Sequence, residues 1–287
     1  MTATDATGPA ASVSDAPGCD VLRSPLRGGL RLALYLGWTL VLIPVQALAV
    51  ALKLPLRHRL PPFYHRVCTH ILGFDVVVRG ERAAKGPVLF ISNHSSYLDI
   101  TVLGSVIPGS FVAKNEVAKW PFFGTLAKLQ QTVFVERKAR TGVERQRDDL
   151  GARLDAGDNL ILFPEGTSSD GNRTLPFKTA LFAVAARRIG DKPLTVQPVS
   201  IAPTRLDGIP MGIAFRPFYA WYGDMDLVPH LWTVFTLGRI TVEVEFHPPV
   251  TIEQFSSRKA LADHCQRAVA QGVERAVSGK PALPSRD

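Results

Sequence analysis

Hydrophobic and polar positions divide this chain into an apolar segment near its N-terminus and a longer region of short alternating elements. Residues 32–52 are almost wholly apolar, and Pro44 and Gln46 interrupt them. About 21 apolar residues can cross a bilayer as a helix. Because basic residues flank both ends, two interpretations stay open: a single transmembrane helix, or a helix bent near Pro44 that lies in one leaflet. A buried core helix is the remaining alternative.

Beyond this segment, short apolar runs alternate with amphipathic stretches. The runs predict strands and the amphipathic stretches predict helices. We predict strands at 75–78, 87–92, 111–114, 132–136, 159–163, 194–201 and 240–246, and helices at 94–106, 142–156, 178–189 and 254–277. Residues 118–130, which contain Pro121 and Gly124, are predicted to form a helix or a turn region. This alternation is typical of an α/β fold in which a central sheet is flanked by helices.

The same patterns divide the chain into four segments. Residues 1–22 are rich in Ala, Ser, Thr, Gly and Pro, which predicts a disordered N-terminal tail. Residues 23–60 form the membrane-anchoring segment, residues 61–278 the folded domain and residues 279–287 a loose C-terminal tail.

Charge and cysteine content limit the possible partners. The 287 residues include 33 basic and 25 acidic side chains, a formal charge of +8, which favours a negatively charged partner such as anionic lipid or an acidic carrier. The basic residues are scattered and show no zinc-finger or aromatic-basic pattern, so we expect no nucleic-acid partner. Cys19, Cys68 and Cys265 are far apart, which argues against a disulfide framework and against a metal site.

The segment from Asn93 to Asp99 contains a candidate catalytic pair. His94 can take a proton from a hydroxyl near pH 7, and Asp99 can orient the imidazole through its other nitrogen. Five residues of an ideal helix turn about 500°, so the pair works only if His94 lies at a strand-to-helix junction, with Ser92 or Asn93 capping the helix. Taken alone, this spacing is also compatible with a polar turn and a surface Asp.

A second polar segment, Phe-Pro-Glu-Gly-Thr-Ser-Ser at residues 163–169, follows an apolar strand. Ligands bind at the carboxyl ends of strands in open α/β sheets. Gly166 allows a positive φ angle, Thr167 can bind an anion together with backbone N–H groups, and Glu165 suits a substrate hydroxyl or a basic neighbour. Taken alone, an ordinary strand-to-turn connection is the alternative.

Three cations are candidates for holding an anionic group. Arg137 follows the apolar run at 133–135 and can hold a phosphate through two parallel hydrogen bonds. Lys114 ends another predicted strand, and Lys178 follows the second polar segment. A solvated surface position is the default for any one of them.

In this order, four blocks resemble the glycerolipid acyltransferases of the 1-acylglycerol-3-phosphate (PlsC-type) family. The blocks are residues 93–99, 134–137, 163–167 and 196–199. The resemblance implies a glycerolipid acyltransferase fold with a mixed central sheet, and it makes residues 61–278 the acyltransferase domain. Many relatives have Gly six residues before the arginine of the second block, where this chain has Gln131. The strand before Arg137 can therefore differ in geometry from the strand in those relatives.

The resemblance also implies roles for individual residues. His94 is the expected general base, Asp99 its orienting carboxylate, and Arg137, Glu165 and Gly166 the acceptor site, with Arg137 on a phosphate. A fatty acyl group would pass from a thioester of coenzyme A or acyl carrier protein to the free hydroxyl of a lysolipid. No metal, no other cofactor and no covalent enzyme intermediate are implied.

The acceptor has two candidates. Phosphate binding by Arg137 favours 1-acyl-sn-glycerol-3-phosphate, whose product is phosphatidate. Residues 221–232 resemble a subgroup that includes lyso-ornithine lipid acyltransferases, so lyso-ornithine lipid is the alternative. We expect the enzyme at the inner membrane, with its catalytic domain on the cytoplasmic side and with membrane lipids, the thioester donor and the lysolipid as partners. The oligomeric state is left open.

Two other functional classes compete with this hypothesis. A non-catalytic membrane lipid-binding protein would keep the apolar segment and the basic surface, but it needs no paired His94 and Asp99. A thioesterase or lipid hydrolase usually has a G-x-S-x-G nucleophile turn, and this chain lacks that pattern. Both classes are therefore disfavoured.

Overall fold

A computed structural model describes residues 22–84, 86–135 and 140–279, apart from the side chains of 140–147. The helices in these ranges are α1 (Pro25–Ala51), α2 (Leu56–Leu72), α3 (Leu98–Val106), α4 (Phe123–Leu129), α5 (Arg140–Asp155), α6 (Leu227–Thr236) and α7 (Arg258–Ser278). The strands are β1 (Phe74–Arg79), β2 (Val88–Ser92), β3 (Ser110–Lys114), β4 (Val133–Val135), β5 (Leu160–Leu162), β6 (Arg188–Ile189), β7 (Lys192–Pro193), β8 (Thr195–Leu206), β9 (Ile209–Pro210) and β10 (Ile240–Phe246). The predicted tails lie almost wholly outside the described residues.

The sheet is mixed, and its main strands run in the order β1-β10-β8-β2-β5-β3-β4. Pairing is parallel between β2 and its neighbours β8 and β5, and again where β3 meets β5 and β4, whereas β10 runs antiparallel to β8. Five parallel strands therefore end at one edge of the sheet. The predicted α/β fold with a central mixed sheet is confirmed.

Helices cover both faces of the sheet, which explains why the central strands are continuous apolar runs rather than alternating ones. All of β2 is buried. One core cluster joins the sheet to α2, α3 and α6, with Leu32 and Tyr35 of α1 packed against it. The other core cluster joins the opposite face to α5 and α7.

The apolar segment forms α1, a helix that is long and apolar enough to cross a membrane. Pro44 lies inside the helix and does not end it. α1 is tied to the domain near its N-terminus, where Arg27 Nη2 donates to Thr236 O (2.7 Å) and Arg31 Nη1 donates to Leu237 O (2.7 Å). Nearer its C-terminus, Gln46 Nε2 donates to Leu129 O (2.9 Å).

The structure differs from the sequence prediction at several elements. α3 begins at Leu98 rather than near His94, because the Asp99 carboxylate binds the preceding backbone amides. Residues 179–186 form a 3-10 helix instead of an α-helix. α2 and α6 were not predicted. α2 has alternating basic and apolar residues and two internal prolines, Pro61 and Pro62, which obscure its helical period.

Candidate functional site

The loop that carries the catalytic candidates is fixed where β2 ends. Asn93 is buried, its Nδ2 donates to Ile201 O (2.8 Å), and its Oδ1 accepts from Ile201 N (2.9 Å). The Asn93 side chain therefore makes the two hydrogen bonds to β8 that the backbone of a further β2 residue would otherwise make. It does not cap the helix, and neither Ser92 nor Asn93 acts as the predicted N-cap.

His94 and Asp99 lie in direct contact, as predicted. The His94 Nδ1 atom lies 2.9 Å from Asp99 Oδ2. Because an ionised carboxylate only accepts hydrogen bonds, Nδ1 carries the proton in this pair, and Nε2 is the nitrogen that can accept one. The His94 side chain is 22% exposed, whereas Asp99 is fully buried, so the imidazole is the member of the pair that can meet a ligand.

The Asp99 carboxylate also binds the backbone that precedes it. Oδ2 accepts from Ser95 N (2.7 Å) and Ser96 N (2.9 Å), which stabilises the charge in the first turn of α3. Free backbone amides beside a general base can stabilise a developing oxyanion. Those of Ser95 and Ser96 are already occupied, so they do not have that role in this geometry.

The second motif meets the first at the next strand end. The Phe163 ring stacks on the His94 ring, with centroids 4.2 Å apart and planes inclined by 20°. The backbone N–H of Ser169 donates to His94 O (2.8 Å). The turn between these residues places Glu165 and Gly166 beside the His94 loop, as expected for motifs that follow neighbouring parallel strands.

Glu165 is a buried carboxyl group without an ion-pair partner among the described residues. It is 2% exposed, and neither oxygen has a hydrogen-bond partner there. Burial raises the Glu165 pKa to about 8, and the nearby backbone amides of Leu175 and His94 offset only part of that effect. Since the carboxyl group is then mostly protonated at pH 7, it can donate a hydrogen bond to an anion, which a carboxylate cannot do.

Those of the other predicted binding residues that the structure describes lie at the same edge of the sheet. Gly166 has a φ angle of 74°, the left-handed conformation that its sequence position predicted. Thr167 and Lys114 are exposed. Lys178 is exposed as well, and its backbone N–H donates to Pro164 O (2.9 Å). Arg137 is outside the described residues.

Sequence reasoning missed contributions from the segment at 216–221. The Tyr219 hydroxyl donates to Asp99 Oδ1 (2.9 Å), and Trp221 N donates to Ser95 O (2.8 Å). The stretch is rich in aromatic residues, but aromatic residues are common in cores and do not by themselves indicate a site. The distance of 120 residues between Tyr219 and Asp99 leaves no local pattern that could pair them.

An apolar cavity of about 170 Å³ lies beside the motif. Its walls come from α1, α2, α3, α4 and α6, and they include Tyr97 and Leu98, which follow the His94 loop directly. Mostly apolar cavities lined by a few polar groups are typical of ligand-binding sites, and an apolar lining suits a hydrocarbon chain. Together, a base, its carboxylate and an adjoining apolar cavity can activate a hydroxyl close to a long hydrocarbon chain.

Comparison with known proteins gives concordant results. The model of the Acyltransferase family matches residues 75–202. The chain is 45% identical over 254 residues to a lyso-ornithine lipid O-acyltransferase of Brucella abortus (strain 2308), covering 88% of this chain and 95% of the relative. It is 34% identical over 200 residues to a 1-acyl-sn-glycerol-3-phosphate acyltransferase of Neisseria gonorrhoeae, covering 69% of this chain and 73% of the relative.

The fold is also found among solved structures, and one of them illustrates the likeness. It is the 1-acyl-sn-glycerophosphate (LPA) acyltransferase, PlsC, from Thermotoga maritima, with a TM-score of 0.64 and 23% sequence identity. The alignment covers 87% of this chain and 96% of that one.

Proposed function

The chain belongs to the PlsC-type lysolipid acyltransferase family, and from that premise we propose that it moves a fatty acyl group from a thioester to the free hydroxyl of lyso-ornithine lipid. The family resemblance of the four sequence blocks is confirmed. The finer assignment of the acceptor is supported by relatives named as lyso-ornithine lipid O-acyltransferases, which are 45%, 43% and 40% identical to this chain.

The observation that carries the chemistry is the contact between His94 and Asp99. His94 Nε2 takes the proton from the acceptor hydroxyl while Nδ1–H stays bonded to Asp99 Oδ2, which stabilises the imidazolium. The acceptor oxygen attacks the thioester carbonyl carbon, the C–S bond breaks, and the imidazolium returns the proton to the leaving thiolate. The enzyme forms no bond to the acyl group, and no metal takes part.

The donor and the anion site complete the proposal. The donor is the thioester of coenzyme A or of acyl carrier protein, and its chain lies in the apolar cavity, where water is excluded from the thioester. Arg137 holds the anionic group of the acceptor, because a guanidinium can bind either a carboxylate or a phosphate through two parallel hydrogen bonds. Because the Arg137 guanidinium can also bind a phosphate, 1-acyl-sn-glycerol-3-phosphate is the second candidate acceptor. Two relatives that are 34% identical to this chain are named as acyltransferases of that substrate.

Acyl transfer by the detergent-purified protein tests the assignment. Labelled acyl-CoA, or acyl carrier protein carrying the same chain, is offered with lyso-ornithine lipid and lysophosphatidate side by side. We expect transfer to lyso-ornithine lipid, loss of transfer in His94→Ala, a large decrease that leaves measurable residual transfer in Asp99→Asn, and normal transfer in the control His70→Ala, which changes an exposed histidine. Transfer to lysophosphatidate alone would overturn the acceptor, and no transfer to either acceptor with either donor would overturn the activity.

We also propose that α1 inserts into a single leaflet of the inner membrane, with the catalytic domain on the cytoplasmic side. Arg27 and Gln46 are about 28 Å apart along a helix that rises 1.5 Å per residue, close to the thickness of the hydrocarbon core. Both contact the same domain, through Thr236 and Leu129. A helix that crossed the bilayer would carry one of these contacts to the far side.

Cysteine accessibility in oriented vesicles tests this placement. Cysteines introduced at Leu26 and at Lys53 should react with a membrane-impermeant reagent from the same side, the side on which acyl-CoA is consumed. Reaction from opposite sides would establish a spanning helix instead.

A further inference from the structure

The turn at 216–221 joins the two sequence motifs through its backbone. Trp221 N donates to Ser95 O (2.8 Å), next to His94, and Trp221 O accepts from Ser168 Oγ (2.5 Å) in the second motif. This turn lies beyond residue 202, where the match to the family model ends. A segment outside the residues matched by the family model therefore connects the two motifs.

Within this turn, Tyr219 is held in one position. It is fully buried, its backbone N–H donates to Arg216 O (2.9 Å), and its ring packs against Phe74 with centroids 5.8 Å apart. The hydroxyl donates to Asp99 Oδ1 at 2.9 Å. A buried hydroxyl that donates to a buried carboxylate makes one of the stronger kinds of hydrogen bond.

The two carboxylate oxygens of Asp99 differ in the number and length of the hydrogen bonds that they accept. Oδ2 accepts from His94 Nδ1 (2.9 Å), Ser95 N (2.7 Å) and Ser96 N (2.9 Å). Oδ1 accepts from Tyr219 at 2.9 Å and, at 3.3 Å, from Ser95 Oγ. Removal of the tyrosine hydroxyl would leave Oδ1 with one long hydrogen bond in a site that water does not reach.

We propose that Tyr219 is a positioning residue for acyl transfer: its hydroxyl fixes the plane of the Asp99 carboxylate and withdraws charge from it. This role rests on the proposed function, since it acts through the His94–Asp99 pair. Without the Tyr219 donor, Asp99 carries more charge on Oδ2, the oxygen that contacts His94 Nδ1, and it favours the imidazolium more strongly. The base is then protonated at a higher pH, and the carboxylate is less well oriented.

The test is Tyr219→Phe, which keeps the ring and its packing and removes one oxygen. The lost hydrogen bond is one to a buried charged group, so its removal weakens the support of Asp99, and only part of that effect is expressed in catalysis. We expect kcat to fall about tenfold and the acid limb of the kcat/KM profile to move up by about half a pH unit or more. The donor KM should stay unchanged. The matched control is Tyr222→Phe, a tyrosine three positions further along and partly exposed.

A double mutant separates this role from a structural one. If Tyr219 acts through Asp99, then Tyr219→Phe should cost little additional activity in an Asp99→Asn background. An unchanged kcat and pH profile would overturn the proposal, as would a loss that is fully additive with Asp99→Asn. If either of these results is found while wild-type transfer still depends on His94, only the role of Tyr219 is refuted and the proposed function stands. Absence of wild-type transfer would refute the proposed function itself.

Discussion

The buried carboxyl group of Glu165 should make the stability of this enzyme depend on pH. Its pKa is raised from 4.5 to about 8 by burial, while the unfolded chain keeps the ordinary value. Between these two pH values the folded protein binds a proton that the unfolded chain has lost. Stability therefore falls as pH rises through this window, and it stops falling above the folded pKa.

The magnitude follows from the size of the shift. A shift of about 3.5 units at 1.36 kcal/mol per unit corresponds to a loss on the order of 5 kcal/mol between pH 5 and pH 8.5. The Glu165→Gln variant has a neutral side chain of similar volume and does not titrate, so it should lack this contribution. At about 2–4 °C per kcal/mol for a chain of this size, the wild-type Tm should fall on the order of 10 °C further than the variant's Tm over this range.

Thermal unfolding followed by tryptophan fluorescence in detergent measures both proteins at each pH. Comparison of the two pH profiles removes the titration of all other groups, which both proteins share. Glu116→Gln, which neutralises an exposed carboxylate, should follow the wild-type profile. Parallel profiles for wild type and Glu165→Gln would refute the argument, because they would mean that Glu165 is already ionised in the folded enzyme at neutral pH.

Two further substitutions test how the site is supported. Asn93→Ala leaves the buried N–H and C=O of Ile201 without partners, so the Tm should fall by the equivalent of about 2–5 kcal/mol, and a stability equal to wild type would contradict this role. Gly272→Ala would bring a methyl group to 2.1 Å from Ser200 Oγ, so overpacking should cost about 1–3 kcal/mol while acyl transfer at low temperature stays normal. Loss of transfer by a folded Gly272→Ala protein would show that α7 is coupled to the site.

The sequence was sufficient to predict those parts of the structure whose determinants are local. β2 and β5 are short apolar runs that end at polar turns, and their motifs meet because parallel strands end at one edge. The precise start of α3 was not predictable, because it depends on which groups the Asp99 side chain binds. Tyr219 could not be assigned either, since its hydrogen bond to Asp99 exists only after the chain has folded.

α3 connects the proton chemistry to the apolar cavity. Its first turn places Asp99 against the His94 loop, and the next two residues, Ile100 and Thr101, line the cavity. An acyl chain in the cavity would therefore lie along the same helix that orients the base, with its thioester end toward His94. Further along α3, Gly104 allows the His65 ring of α2 to approach, because a Cβ at Gly104 would lie 2.6 Å from that ring. α2 thus packs directly on the helix that carries Asp99, and α1 and α2 both line the cavity, so a displacement of α1 and α2 relative to α3 would change both the cavity and the His94–Asp99 contact.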